Sequence, residues 1–239
     1  MGVRVKAVER DVMNYVPVPT GLLFHRAREL IKGIRGPVGS GKSVACCIEI
    51  FTKSCGQVAH PDGVRRSKWL IYRKYKADLE LTTLPTWLEW FPQTEMKYDD
   101  PMEGVYRCLH PSGDGTLVEM QLIFLGLDSP ASVRKLKSLE ISGAWGNEAP
   151  QVDWRIHSMV YQRTGRYPKK EGSLRFPRLG LLLDGNSPHE SNWWRVRAED
   201  VRDARGSTAG TATSVFPGAR LMLSVMRMVP TRLIFTRTS

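Results

Sequence analysis

The chain is short of several things. No run of about 18 consecutive apolar residues occurs, the length a helix needs to cross a bilayer, so no membrane span is expected. The first residues, MGVRVKAVERDVMNY, lack the apolar core of a secretory signal. Their Met-Gly start is a myristoylation cue, but the sixth position is Lys6 where that motif wants Ser or Thr. These absences predict a cytosolic protein. Cysteine is scarce: Cys46, Cys47, Cys55 and Cys108 are the four, and none forms C-x-x-C. Cys55 with His60 has no second pair to complete a zinc site, so reduced thiols are expected. Acidic residues are in deficit, 24 against 35 Lys and Arg, leaving a formal charge of +11. Such a balance favours a polyanionic partner such as nucleic acid. No internal repeat is visible.

One stretch organises what is present. Gly36 to Ser43 reads GPVGSGKS and fits G-x-x-x-x-G-K-[ST], the phosphate-binding loop of P-loop nucleotidases. Gly36, Gly39 and Gly41 let the backbone curl so that successive N–H groups point at one anion, with Pro37, Val38 and Ser40 between them. Lys42 would reach the β and γ phosphates of ATP, and the Ser43 hydroxyl would hold Mg²⁺. Leu30, Ile31 and Ile34 predict a buried strand before the loop. Val44, Ile48, Phe51 and Cys55 fall at helical spacing after it and predict the inward face of a helix ending near Gly56. That helix N-terminus adds partial positive charge to the phosphate site.

Strands and helices then alternate. A lead-in, residues 1–29, holds a short helix around FHRAREL, in which Phe24 and His25 either approach an adenine ring or are packing residues. Ser67–Arg73 reads as a strand covered on both faces. Leu79–Phe91 predicts helical pieces interrupted at Pro85 and presenting an aromatic surface. Val105–His110 and Leu117–Leu125 flank the turn-forming PSGDG and predict a hairpin. Leu139–Gly143 and Leu179–Leu183 are apolar segments, the latter a central strand ending in the turn chemistry of DGNSP. The pattern predicts an α/β fold with a mainly parallel sheet and helices on both faces.

A phosphate loop binds nucleotide; hydrolysis asks for a carboxylate to align water at the end of a neighbouring strand. Asn147-Glu148 is the candidate. Glu148 would position or deprotonate water, with Asn147 where an Asp is usual and its amide oxygen accepting from a Mg²⁺-bound water. The alternative is that Glu148 caps the helix starting near Ala149-Pro150. Asn186, past the LGLLL strand, either senses the γ phosphate or is a turn residue. Arg73, Arg134, Arg163 and Arg166 are expected around the site, and any could stabilise charge on the transferring phosphoryl group.

GPVGSGKS, TTLPTWLEWFP, LKSLEISGAWGNEA, RTGRYP and DGNSPHESNWW, in that order over roughly residues 20–199, together resemble the ATPase domain of a tailed-bacteriophage terminase large subunit. The resemblance implies a P-loop NTPase of the additional-strand, catalytic-glutamate type. Lys42 and Ser43 match its phosphate loop, Glu148 its catalytic glutamate and Asn186 its coupling position. The family usually writes Thr before that Asn, where this chain has Gly185. The resemblance further implies an ATP-hydrolysing motor that packages double-stranded DNA without reading sequence. Its working form would be a homo-oligomeric ring with a neighbouring subunit's arginine in the site. Its partners would be the small terminase subunit and the portal of the procapsid, and its place the host cytoplasm. On residue types alone a helicase-like or recombination ATPase, a small-molecule kinase and an inactive remnant stay open.

Residues 1–200 thus read as the ATPase domain, and residues 201–239 as an atypical tail. No Lys follows Lys170, no Trp or Tyr follows Trp194, and Asp203 is the one carboxylate after Asp200. The family's nuclease domain needs an Asp/Glu cluster, so nuclease activity is not expected in this chain. The abrupt shift in composition suggests that residues beyond about 205 are out-of-frame translation, poorly packed or disordered.

Overall fold

The computed structural model describes residues 14–195, 211–212 and 221–225. A nine-stranded sheet runs in the order β3-β4-β5-β2-β6-β7-β1-β9-β8. Its centre is parallel: β5 (Leu117–Gly126), β2 (Val64–Arg73), β6 (Gly143–Gly146), β7 (Gly180–Gly185) and β1 (Ile31–Arg35). β4 (Met102–Leu109) and β3 (Glu95–Lys97) add antiparallel strands on the β5 side, so the predicted hairpin is present. On the other side β9 (Leu221–Val225) pairs parallel with β1, and β8 (Thr211–Ala212) pairs antiparallel with β9. The expectation of an out-of-frame, poorly packed tail falls mostly outside the described residues.

Alternation along the strands builds two cores. Trp69 and Ile71, Trp145, Leu182 and Ile34 face α1 (Pro19–Arg26), α2 (Lys42–Cys55) and α4 (Leu84–Trp90). Leu70 and Tyr72, Ala144, Leu181, Leu183 and Ile31 face α6 (Trp154–Arg163) and Trp194. Both faces of the parallel strands are covered, which is why their sequences read as nearly continuous apolar runs.

Several local expectations are corrected. The most buried face of α2 is Ala45, Cys46, Cys47, Glu49, Ile50, Ser54 and the expected Cys55; Ile48 and Phe51 also pack against this core half-buried, and Val44 lies on the flank. Buried Glu49 explains the rotation. It accepts from the buried Lys32 at 2.6 Å and pairs with His25 at 2.8 Å, tying α2 to β1 and α1. Phe24 is fully buried in the core, so Phe24 and His25 are packing residues. Pro85 does not break its segment. α3 (Lys76–Asp78) passes into a π-helical turn (Leu79–Thr83) and on into α4, with Pro85 in the first turn of α4, so the expected helical pieces join without a gap. Trp87 and Phe91 stack at 4.4 Å and are fully buried, core rather than aromatic surface. The apolar segment Leu139–Gly143 leads into a strand that begins at Gly143.

Candidate nucleotide site

The phosphate loop joins β1 to α2 at the carboxyl ends of β2, β6 and β7. Gly39 (φ 75°) and Gly41 (φ 81°) take the left-handed conformation that the loop's curl demands. Gly41 is the residue before α2, so the first free N–H groups of that helix face the loop. Lys42 folds back over the loop and donates to the Pro37 carbonyl at 2.7 Å and to Asn186 Oδ1 at 3.0 Å. Burial pulls its pKa below the ordinary lysine value, against the attraction of Asp184 and Glu148.

Three side chains on adjacent strands form a row beneath the loop. Arg73 ends β2, Asn147 follows β6 and Asp184 lies near the end of β7. All three point to the α2 face, because each continues the alternation of Ile71, Trp145 and Leu182. Asn147 Oδ1 accepts from Thr83 Oγ1 at 2.7 Å and from Arg73 at 3.1 Å. Its Nδ2 donates to both Asp184 oxygens at 3.0 Å. Chemistry fixes this orientation: a guanidinium can only donate and an ionised carboxylate can only accept. The expected role of Asn147 is therefore corrected. Its oxygen faces away from the loop, and its N–H₂ faces Ser43 at 3.4 Å.

Asp184, fully buried, was not singled out by the sequence reading. Trp145 Nε1 donates to its Oδ1 at 2.9 Å and Ser43 Oγ to its Oδ2 at 3.0 Å. Burial raises its pKa, and these donors together with Asn147 oppose the rise. A hydroxyl beside a carboxylate suits Mg²⁺, which keeps several waters and takes one or two protein oxygens with substrate phosphates. Among the described residues no three His, Cys, Asp or Glu side chains gather into a dedicated metal cage.

Glu148 is not a side-chain cap. It occupies the position before the short helix Ala149–Gln151, yet its side chain makes no capping bond. It turns instead to Asn186, whose backbone N–H and Nδ2 donate to it at 3.4 and 3.3 Å. Asn186 thereby bridges Lys42 and Glu148. To aim the carboxylate this way the backbone of Glu148 is held at φ 50°, ψ 47°, the one positive φ outside glycine among the described residues. Glu148 and Asn186 line an open cleft with Lys74, Tyr75 and Asp78.

The arginines separate. Arg73 is committed to Thr82 at 2.6 Å, to Asn147, and to Asp78 at 3.6 Å. Arg134 is exposed on α5 (Pro130–Lys135). Arg163 and Arg166 lie at the far end of the sheet: the Arg166 N–H donates to the Ile141 carbonyl, before β6 begins. They are not around this site.

No protein-family model and no curated protein matches the sequence. Solved structures do match the fold. The large terminase of a thermophilic bacteriophage, in complex with ADP, aligns with a TM-score of 0.55 at 10% identity, over 87% of this chain and 44% of that one. The complex of the same terminase with ATP-gamma-S aligns with a TM-score of 0.54, also at 10% identity, over 87% and 44%. The large terminase ATPase domain of Thermus phage P74-26 aligns with a TM-score of 0.53 at 14% identity, over 88% of this chain and 81% of that domain. The chain thus spans less than half of the thermophilic phage large terminase it aligns with and most of the P74-26 ATPase domain. Its fold is that of phage large terminase ATPase domains, a P-loop NTPase fold with β7 as the additional strand between β1 and β6, the strand that Glu148 follows.

Proposed function

We propose that this chain is the ATPase module of a phage large terminase, a motor that hydrolyses ATP to drive double-stranded DNA into a procapsid. The observation that carries the reading is the bridge from Lys42 through Asn186 to Glu148, which joins a phosphate-loop lysine to a carboxylate lining an open cleft. Loop amides and Lys42 would bind the phosphates, Lys42 exchanging its bond to Pro37 for them. Glu148 would hold the attacking water in line and take its proton. Asn186 contacts both groups and so would report whether a γ phosphate is present. Mg²⁺, when bound beside Ser43, supplies positive charge against the phosphate oxygens. The ADP and ATP-gamma-S complexes of the thermophilic phage terminase support nucleotide as ligand. A ring of copies, with the small terminase subunit and the portal as partners, is part of the same proposal.

The decisive experiment separates binding from chemistry. E148Q keeps size and hydrogen bonding but loses the charge. It should bind ATP normally and hydrolyse it about 10²–10⁴-fold more slowly in single turnover, the usual worth of a general base. K42A should fold and lose turnover. Wild-type hydrolysis by E148Q would overturn the assignment. ATP-driven DNA uptake by a portal-bearing procapsid would separate a packaging motor from other DNA-dependent ATPases.

A further inference from the structure

We propose that Asp184, on β7, carries the negative charge that holds and orients the nucleotide's Mg²⁺, a task that residue 147, just past β6, cannot perform in this chain. The inference rests on the ATPase reading above and assigns one more residue to the same site.

The argument begins with what Asn147 presents. Its oxygen is occupied by Thr83 and Arg73, and its N–H₂ is turned toward Ser43. An N–H donor repels a cation and cannot accept from a metal-bound water. It brings no charge either way.

The adjacent strand supplies both missing properties. Asp184 Oδ2 lies 3.0 Å from Ser43 Oγ. A hydroxyl has one proton and two lone pairs. With the Ser43 proton pinned on Asp184 and one lone pair accepting from Asn147 at 3.4 Å, the second lone pair is left for a cation. The carboxylate adds the charge behind that oxygen. β7 is also the strand next to β1, one place nearer the phosphate loop than β6. The row Arg73–Asn147–Asp184 then reads as cation, amide and anion. A second carboxylate at 147 would stand about 3 Å from the first, where like charges disfavour each other. The amide at 147 and the carboxylate at 184 are two halves of one arrangement, in which a single charge has moved across one strand.

The test reads metal dependence rather than turnover. Titrate a fluorescent ADP analogue into the folded protein in Mg²⁺ and in EDTA, and take the ratio of the two affinities. The wild type should bind at least tenfold more tightly with Mg²⁺. D184N is isosteric and should bind as the wild type in EDTA, with the ratio collapsed toward one. The exchange N147D/D184N returns one charge to the row and should recover most of the ratio. A wild-type ratio in D184N overturns the inference while leaving the ATPase reading intact. So does a collapse that the exchange variant fails to recover, since that would reflect lost packing rather than lost charge. Should D184N not fold, the exchange variant against the wild type decides on the same ratio. A wild type that binds no ADP in either buffer would take both readings down.

Discussion

His157 shows how much one buried side chain can do behind a site. It is fully buried, its Nε2 donating to the Ala149 carbonyl at 3.1 Å and its Nδ1 accepting from Tyr72 at 2.5 Å, so it pins the residue after Glu148 to β2. Burial holds its pKa down to about 4 from an ordinary 6.5. Between those values the unfolded chain binds the proton and the folded one does not. The stabilisation is therefore complete above pH 6.5 and is lost as the pH falls toward 4, by about 3 kcal/mol. H157Q keeps a donor and an acceptor but cannot titrate. Denaturant unfolding at about pH 7.5 and about pH 4.5, on either side of that window, should show a smaller acid loss in H157Q than in the wild type; equal losses would refute the assignment. At this scale the sequence was uneven. The placement of Lys42, Ser43 and Glu148 at one end of the sheet was legible because motif spacing and strand ends fix position. Asp184 was not, because LLLDG reads locally as a strand running into a turn. Its meaning comes from β7 lying beside β1, a contact between residues 141 positions apart in the chain.

Elements were legible where their burial was two-sided and illegible where neighbours decided. The apolar runs of β2 and β7 announced covered strands. The rotation of α2 did not show, because Glu49 is buried only by virtue of Lys32 on another element. The π turn that sets Thr82 and Thr83 against Arg73 and Asn147 likewise has no periodic signature in LELTT. Gly185 is an element-scale case too. A Cβ there would collide with Pro150 Cδ, so the close approach of β7 to the Glu148 loop leaves no room for a side chain at 185. G185A should cost about 1–3 kcal/mol by overpacking. In P150A the same change should cost far less, because the clashing ring is gone. A double-mutant cycle by urea unfolding measures the coupling; additive effects would mean that the two loops yield independently.

For the molecule as a whole, the ends of the parallel strands were the legible feature and the assembly was not. If the working form is a ring, the arginine it needs is not Arg73, which is engaged within its own copy. Of the exposed arginines away from the site, Arg134 on α5 is the first to test as the one that acts on a neighbour's nucleotide. R134A and K42A should each be inactive, and mixing them should restore part of the ATPase rate, since each copy supplies what the other lacks. No recovery in mixtures would place the arginine elsewhere. The +11 charge carries the companion expectation for DNA. Affinity for unrelated duplexes should be nearly equal and should fall steeply with salt as counterions are released. A flat salt response would refute phosphate-led binding.

The backbone of Glu148 carries a last consequence. An L-residue with a long side chain held at φ 50° sits in a conformation costing of the order of 1 kcal/mol or more, one that glycine and asparagine adopt readily. Selection for folding alone would have replaced it. E148G and E148N should therefore unfold at higher denaturant than the wild type while losing hydrolysis, and E148Q should lose hydrolysis with no such gain. Among inactive relatives of this chain, drift at position 148 should run toward the small residues that the loop prefers, so that loss of the carboxylate leaves the protein sturdier than its working ancestor.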